Sequence, residues 1–247
     1  MILPDPKDAI HRMWMFRTLR EIYDDAFLAS ILVFKGGTCA AMRGLLDRFS
    51  VDLDFDFIGP EIDMQKVRKK LEDIFEVLGL TIKDQSKKVP QYFLKYPSAK
   101  QDHNTLKVDI TTIITHTNTY ESIVLRDIDR IVRCHTIESM FANKLVALLD
   151  RYEKHHSIAA RDIYDIHHFF MQGYRYSENI ITERRETDIQ TFLREIISFI
   201  QKNVTASIID QDLNTLLEPK QFKRIRKTLK QEVILFLENE YARLVED

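Results

Sequence analysis

Cysteine is scarce in this sequence, and its scarcity argues against one kind of metal site. The 247 residues include only Cys39 and Cys134, and no Cys-x-x-Cys pair occurs, so we expect no thiolate metal centre. This cysteine usage is typical of a protein from a reducing compartment.

Long apolar runs and an excess of one charge are missing as well. No apolar run approaches the ~18 residues of a membrane span, and the first residues lack the layout of a signal peptide. We therefore expect a cytoplasmic protein without a membrane partner. The net charge of −2 provides no overall basic field for nucleic acid, so such a contact would need a local patch. The hydrophobic fraction of 45% is sufficient for a globular core.

The hydrophobic pattern changes character along the chain. Strands are predicted at 31–34, 51–57, 91–96 and 105–114, with helices before, between and after them. The first helix is expected to start at Asp5 and to bury Ile10, Met13, Phe16, Leu19 and Tyr23. Beyond about residue 135 the periodicity is only helical. The sequence therefore predicts an α+β fold, with a mixed-sheet domain over 1–135 and a helical bundle over 136–247.

A carboxylate-rich strand is the first candidate for chemistry. Asp52, Asp54 and Asp56 are two residues apart and point to one face, while the intervening residues are apolar. Crowded carboxylates repel one another unless water or cations offset the repulsion. Carboxylate ligands suit Mg²⁺ or Mn²⁺. For an isolated Asp-x-Asp, however, a solvated sheet face is the more common explanation.

A second strand adds to this pattern. Asp109 lies on the polar face of the strand predicted at 105–114. If the two strands are neighbours, Asp109 joins Asp52 and Asp54, and two metal ions ~3.5–4 Å apart could serve a phosphoryl transfer. Asp56 is the weaker ligand candidate because it lies further along its strand.

A glycine pair precedes the carboxylate strand. Gly36 and Gly37 separate a predicted strand from a predicted helix, where backbone can approach an anion closely. A triphosphate could rest there, helped by Lys35, Thr38 or Arg48. The pair could equally be an ordinary turn, and it is not a Walker A loop because Gly-Lys-Ser/Thr is absent.

Taken together, these segments resemble a known family. Residues 34–38 and 48–55 follow the pattern Gly-Gly-Ser/Thr, a spacer, and Arg-x-Ser-x-Asp-hydrophobic-Asp. This pattern resembles the first motif of the AbiEii/AbiGii nucleotidyltransferase toxins, which are part of the polymerase-beta-like nucleotidyltransferase superfamily. The resemblance continues at 106–110, 142–151 and 161–166.

The resemblance implies a fold, a reaction and a set of residue roles. It implies a polymerase-beta-like nucleotidyltransferase domain that moves a nucleotide unit from an NTP to an acceptor, plausibly RNA or tRNA. Mg²⁺ or Mn²⁺ would be the cofactor, and the setting a toxin–antitoxin or phage-defence system with a possible cognate antitoxin. The candidate catalytic residues are Asp52, Asp54, Asp109, Lys144 and Asp162, of which the first three are the candidate metal ligands. The candidate nucleotide-binding residues are Lys35, Gly36, Gly37, Thr38, Arg48, Ser50, Lys144, Arg151 and Arg161.

Spacing alone gives weaker support for the helical candidates. Lys144 and Arg151 are seven residues apart and share a helix face, which could simply be a solvated cationic face. Arg161 and Asp165 are four apart and could pair with each other. The paired histidines at 155–156 and 167–168 do not share a face and are expected at the surface or at helix caps.

A basic segment near the end of the chain is the candidate RNA contact. It holds Lys220, Lys223, Arg224, Arg226, Lys227 and Lys230 and no acid. An apolar stripe of Phe222, Ile225, Leu229, Val233 and Phe236 predicts an amphipathic helix through it. Packing on the bundle and binding of RNA phosphates are equally compatible with this pattern.

Two other functions remain open from sequence. One is a nucleotide- or RNA-binding module without turnover. The other is a metal-dependent phosphohydrolase or nuclease in which the same carboxylates would act on water.

Overall fold

The computed structural model describes residues 1–97 and 104–246, and across them the chain combines eleven α-helices with one seven-stranded mixed sheet. The α+β fold class is thereby confirmed. The strands are β1 (Leu32–Lys35), β2 (Asp52–Phe57), β3 (Thr81–Gln85), β4 (Gln91–Lys95), β5 (Thr105–Thr111), β6 (Tyr120–Leu125) and β7 (Arg130–His135). The helices are α1 (Asp8–Asp24), α2 (Ala26–Ile31), α3 (Gly36–Met42), α4 (Met64–Val77), α5 (Ile137–His155), α6 (Ala160–Met171), α7 (Glu178–Arg185), α8 (Ile189–Asn203), α9 (Ala206–Leu213), α10 (Pro219–Ile225) and α11 (Leu229–Glu246). Residues 98–103, between β4 and β5, lie outside the described residues.

The order of the strands brings the two carboxylate strands together. The sheet runs β3-β4-β5-β2-β1-β7-β6, and β2 lies parallel to β5 and antiparallel to β1. In this register Asp54 is opposite both Asp109 on β5 and Lys35 on β1. Strands β2 and β5 are therefore neighbours, which the sequence analysis could only assume.

Alternation gives these strands two different faces. Leu53 and Phe55 on β2 and Val108 and Ile110 on β5 are fully buried, and α1 and α4 cover this side of the sheet. The aspartates occupy the alternate positions and so point to the opposite face. Apolar packing on one side thus fixes which way the carboxylates face, because a register slip of one residue would bury them.

The first helix differs from its prediction in both start and face. It begins at Asp8, and Asp5 instead accepts a hydrogen bond from the backbone N–H of Lys7 at 2.9 Å. Ile10 and Met13 are 49% and 36% exposed. The buried face is rotated and carries His11, Trp14, Met15, Thr18, Leu19, Ile22 and Tyr23. The stripe prediction was wrong in part because polar residues of this helix also face inward.

Three strands were not predicted from the sequence, namely β3, β6 and β7. Of these, β3 and β6 are the two edges of the sheet, and both carry exposed polar residues, so neither has a strong apolar alternation. The helical part starts where expected: Thr136 Oγ1 accepts a hydrogen bond from the backbone N–H of Ser139 and caps α5. The division into two domains stays a prediction.

The helical part contains one further departure. The helix expected through residues 220–230 is broken, because α10 ends at Ile225 and α11 begins at Leu229. Phe222, Ile225 and Leu229 are nevertheless buried as expected. None of the helices in the described residues has the length and apolar character of a membrane-spanning segment.

Candidate active site

The carboxylates of β2 and β5 form the centre of the candidate site. Burial, followed by the negative charge of Asp52, raises the pKa of Asp54 to about 6. Asp109 adds to this effect from the neighbouring strand. The Asp109 carboxylate itself accepts hydrogen bonds from Lys107 Nζ at 2.5 Å and from Gln91 Nε2 at 2.9 Å.

These carboxylates suit a hard divalent cation in their chemistry. Burial, and then the nearby Asp52 and Asp109 carboxylates, disfavour the ionised form of Asp54 and so raise its pKa, and a bound divalent cation would offset this effect. Within the described residues, however, no group of three or more His, Cys, Asp or Glu side chains converges closely enough to hold a metal ion. The metal-ligand role of Asp52, Asp54 and Asp109 therefore stays a prediction.

Asp56 points to the same side of the sheet but has a different environment. It is 1% exposed, and its carboxylate lies 2.5 Å from Lys35 Nζ and 2.7 Å from His135 Nε2. Burial raises its pKa, but the contacts with His135 and Lys35 outweigh burial and lower it. Lys35 also donates to Thr111 Oγ1 at 2.9 Å. Its ammonium is thus already bound within the protein, and its proposed contact with nucleotide stays a prediction.

The glycine pair brings backbone directly against the site. Gly36 has φ +78°, and a Cβ at this position would lie 2.5 Å from Asp54 Oδ2. A Cβ at Gly37 would lie 2.5 Å from Arg48 Nη2. Thr38 Oγ1 lies 2.5 Å from the backbone oxygen of Asp52 and 2.9 Å from Ser50 Oγ. The hydroxyls of this motif therefore tie the glycine turn to the start of β2.

Arg48 also acts inside the protein. It is 1% exposed, and its Nε and Nη2 donate to the two oxygens of Asp165 at 2.5 and 2.6 Å. Nη1 donates to the backbone oxygen of Phe49 at 2.8 Å. The structure thus places Arg48 behind the glycine turn, with its guanidinium bound to α6.

The helical part contributes a cluster of alternating charges. Lys144 Nζ lies 2.6 Å from Asp162 and 3.0 Å from Asp165, and Arg151 Nη2 lies 3.3 Å from Asp162. Burial lowers the pKa of Lys144, but Asp162 and Asp165 outweigh burial and raise it. Burial raises the pKa of Asp162, yet Lys144 and Arg151 outweigh that effect and lower it to about 2.

The possible pairing of Arg161 with Asp165 was wrong. Asp165 is bound by Arg48 and Lys144, while the backbone N–H of Arg161 donates to Asp212 at 3.0 Å. Asp165 pairs with Arg48 rather than Arg161 because the planar guanidinium of Arg48 matches both carboxylate oxygens in a buried position.

A cleft with two lobes lies between the carboxylates and the charged helices. The smaller lobe, about 290 Å³, is predominantly polar and is lined by the cations Arg48, Lys107, Lys144, Arg151 and Arg161. The larger lobe, about 740 Å³, extends from Lys35 to Arg184 and mixes polar with apolar residues. The residues shared by the two lobes are Gly36, Asp54, Asp109, Lys144, Arg151 and Asp162.

Several residues of the larger lobe were not identified from the sequence. They include Asn118, His135, Asn143 and Arg184. His135 was missed because β7 was missed, and Asn118 because it lies in a loop without a pattern. Asn143 precedes Lys144 in the matched motif, which was a usable signal. His167 was also misplaced: it is 7% exposed and lies 2.6 Å from Glu232, whereas His156 does cap α5.

The basic segment is only partly free for an external ligand. Arg226 is paired with Asp210. Lys230 donates to the backbone oxygens of Gln201 and Val204 and so caps the end of α8. Four exposed cations of the candidate set remain, namely Lys220, Lys223, Arg224 and Lys227.

Comparison with solved structures places this fold among nucleotidyltransferases. The JHP933 protein of Helicobacter pylori is 22% identical, with 99% of this chain and 96% of that chain covered at a TM-score of 0.65. MenT4, a nucleotidyltransferase toxin of Mycobacterium tuberculosis H37Rv, is 16% identical, with 96% and 92% covered at a TM-score of 0.51. At these identities the likeness concerns the fold alone. Among curated proteins, none is similar enough in sequence to count as a match.

The family of this chain is identified by a match of its amino-acid sequence. Residues 17–237 match the family described as nucleotidyl transferase AbiEii toxin, type IV TA system. The match includes the glycine turn, the carboxylate strands and the charged helices that together line the cleft. The chain belongs to the AbiEii nucleotidyltransferase toxin family and is an enzyme of the nucleotidyltransferase class.

Proposed function

We propose that the enzyme transfers a nucleoside monophosphate from an NTP to the hydroxyl of an RNA acceptor such as a tRNA, with Mg²⁺ or Mn²⁺ as cofactor. The observation that carries this proposal is the cleft itself, because Asp54, Asp109, Lys144 and Arg151 line both of its lobes. Anionic and cationic groups that line one cleft suit a reaction in which a metal-bound triphosphate loses pyrophosphate.

The smaller lobe is the better candidate for the triphosphate. Its lining is polar and contains five cations. Three of these are largely engaged inside the protein, since Lys107 binds Asp109, Arg48 binds Asp165, and Lys144 is shared by two aspartates. Arg151 keeps a buried Nε without a hydrogen-bond partner among the described residues. A phosphate oxygen would supply that missing acceptor.

In this mechanism the protein orients groups and balances charge. Asp52 and Asp54 would hold the cation, which supplies positive charge for the triphosphate oxygens when bound. Lys144 and Arg151 would bind the pyrophosphate portion and stabilise the charge that develops on it. Asp109 lies next to Asp54 in register and is the candidate to accept the proton of the acceptor hydroxyl.

The test is a transfer assay with each α-labelled NTP, Mg²⁺ and total cellular RNA. Transfer gives labelled RNA and pyrophosphate, whereas a phosphohydrolase gives labelled nucleotide alone and a binding module gives neither. Asp52→Ala and Asp54→Ala should abolish labelling without loss of the fold, because removing one of several crowded carboxylates relieves repulsion.

A matched control is available on the same sheet. Asp84 on β3 is an exposed carboxylate that does not line the cleft, so Asp84→Ala should label RNA like wild type. Full activity in either Asp52→Ala or Asp54→Ala would refute the assigned metal site. The toxin–antitoxin setting, the antitoxin partner and the cytoplasmic location remain part of this proposal.

A further inference from the structure

A buried ion pair lies directly behind the cleft. Asp165 is 0% and Arg48 1% exposed, and the pair is bidentate at 2.5 and 2.6 Å. Desolvation makes a buried ion pair a weak source of stability, even when its geometry is good. Stability alone therefore does not explain why this ion pair is buried behind the cleft.

Asp165 also has a second cationic partner. Its Oδ2 lies 3.0 Å from Lys144 Nζ, so one carboxylate contacts both Arg48 and Lys144. Arg48 in turn supports the glycine turn, because a Cβ at Gly37 would lie 2.5 Å from its Nη2. Asp165 thus connects two parts of the lining of the smaller lobe, the glycine turn through Arg48 and Lys144 of α5 directly.

We propose that Asp165 is a positioning residue that fixes Lys144 relative to the glycine turn and so shapes the lobe for an NTP. The inference rests on the proposed function, because it assigns the triphosphate to this lobe. Asp165 does not line either lobe and acts through Lys144 and Arg48. Without its charge, Lys144 retains only Asp162 as an anionic partner, and Arg48 loses its only ion-pair partner among the described residues.

The first measurement is equilibrium binding of a non-hydrolysable NTP analogue with Mg²⁺. Asp165→Asn should weaken binding by about 10- to 100-fold, the range expected for the loss of one charge-assisted hydrogen bond to a phosphate. The KM for NTP in the transfer assay should rise similarly, while the KM for the RNA acceptor should stay within about twofold.

Asp47 provides a matched control for a purely structural role. It belongs to the same loop as Arg48 and contacts the same helix, through Tyr164 OH at 2.7 Å and His168 Nδ1 at 3.0 Å. It does not line either lobe. Asp47→Asn should therefore loosen the contact between loop and α6 and lower thermal stability, with NTP affinity unchanged. Equal losses of NTP affinity in Asp47→Asn and Asp165→Asn would show that docking of α6 alone matters.

A double-mutant cycle tests whether Asp165 acts through Lys144. If it does, Asp165→Asn should change NTP affinity little in a Lys144→Ala background, because the effect of each single change depends on the other residue. Fully additive effects on NTP affinity would overturn the proposal.

A second variant guards against loss of the fold. Replacing both members of a buried ion pair with apolar residues of similar size is often neutral or stabilising. Arg48→Met combined with Asp165→Leu should therefore fold and still bind NTP weakly. Wild-type NTP affinity in this folded variant would refute the positioning role. If the wild-type enzyme binds NTP tightly but gives no labelled RNA product, the proposed function is contradicted, whereas the positioning role of Asp165 is not.

Discussion

Gly36→Ala is the most direct perturbation of the proposed site, because its effect on stability and its effect on chemistry can be separated. Gly36 has φ +78°, and a non-glycine residue in this region costs about 1–2 kcal/mol. The new Cβ would also lie 2.5 Å from Asp54 Oδ2. Ordinary contact needs about 3.5 Å, so the carboxylate must move by about 1 Å.

A displacement of that size predicts a large loss of transfer. Misplacing a reacting or positioning group by ~1 Å can cost about 10²-fold in rate, equivalent to about 2.7 kcal/mol. Gly44 is the control, since it has φ +76° and a Cβ added there would meet nothing within 4 Å. Gly44→Ala should lose similar stability from backbone strain and keep its transfer activity.

The assay combines thermal unfolding with initial rates of transfer at saturating acceptor. We expect both variants to lose the free energy of backbone strain, with a further loss in Gly36→Ala from the contact with Asp54, and an activity loss of about 10²-fold for Gly36→Ala alone. If Gly36→Ala transfers nucleotide at the wild-type rate, the position of Asp54 is not critical, and the carboxylate strand is not the centre of the reaction.

Three other predictions follow from the charges of the helical part. Lys144→Ala should reduce kcat/KM for NTP by at least ~10²-fold in a folded protein, comparable to the loss of one charge-stabilising donor, and a wild-type kcat/KM would place Lys144 outside the reaction. The pKa of Asp162 is lowered to about 2, so its ionised form contributes stability above the unfolded pKa of about 3.9, and this contribution is lost as the pH falls through 2. The unfolding free energy of wild type minus that of Asp162→Asn should therefore shrink by an amount on the order of 2 kcal/mol between pH 5 and pH 2, and a constant difference would contradict the assigned ion pairs. Changing Lys220, Lys223 and Lys227 together to Gln should weaken RNA binding and flatten its salt dependence by about one unit per lost phosphate contact, with NTP affinity measured in parallel as the control.

The carboxylate strand shows what sequence could predict. Alternation over residues 51–57 indicated both the strand and the side on which its aspartates lie, because burial of the intervening apolar residues allows only one orientation. The pairing of Asp54 with Asp109 was not contained in the local pattern. It depends on the order β5-β2-β1, which the packing of the whole sheet determines.

Long-range partners account for most of what the sequence missed. A strand such as β7 is recognisable only beside β1, and a charged side chain shows its role only when its partner is known. Arg226 and Lys230 were among the candidate RNA-binding cations, yet Arg226 pairs with Asp210 and Lys230 binds the end of α8. Periodicity can predict which face of a helix is polar, but not which of its charges are satisfied within the protein.

Several residues of the family motif likewise have partners within the protein that the sequence does not reveal, and these partners change how the residues are interpreted. The nucleotide-binding role of Arg48 and Thr38 stays a prediction, but both side chains have partners within the protein: the Arg48 guanidinium binds Asp165, and the Thr38 hydroxyl lies near Ser50 and the Asp52 backbone. These polar side chains fix the turn and the strand on which the exposed chemistry depends. Some residues of such a motif therefore maintain the structure of the site, while others take part in the reaction. The side chains available to substrate are fewer than the motif suggests, and Asp54, Lys144 and Arg151 on the wall common to both lobes are the first to substitute.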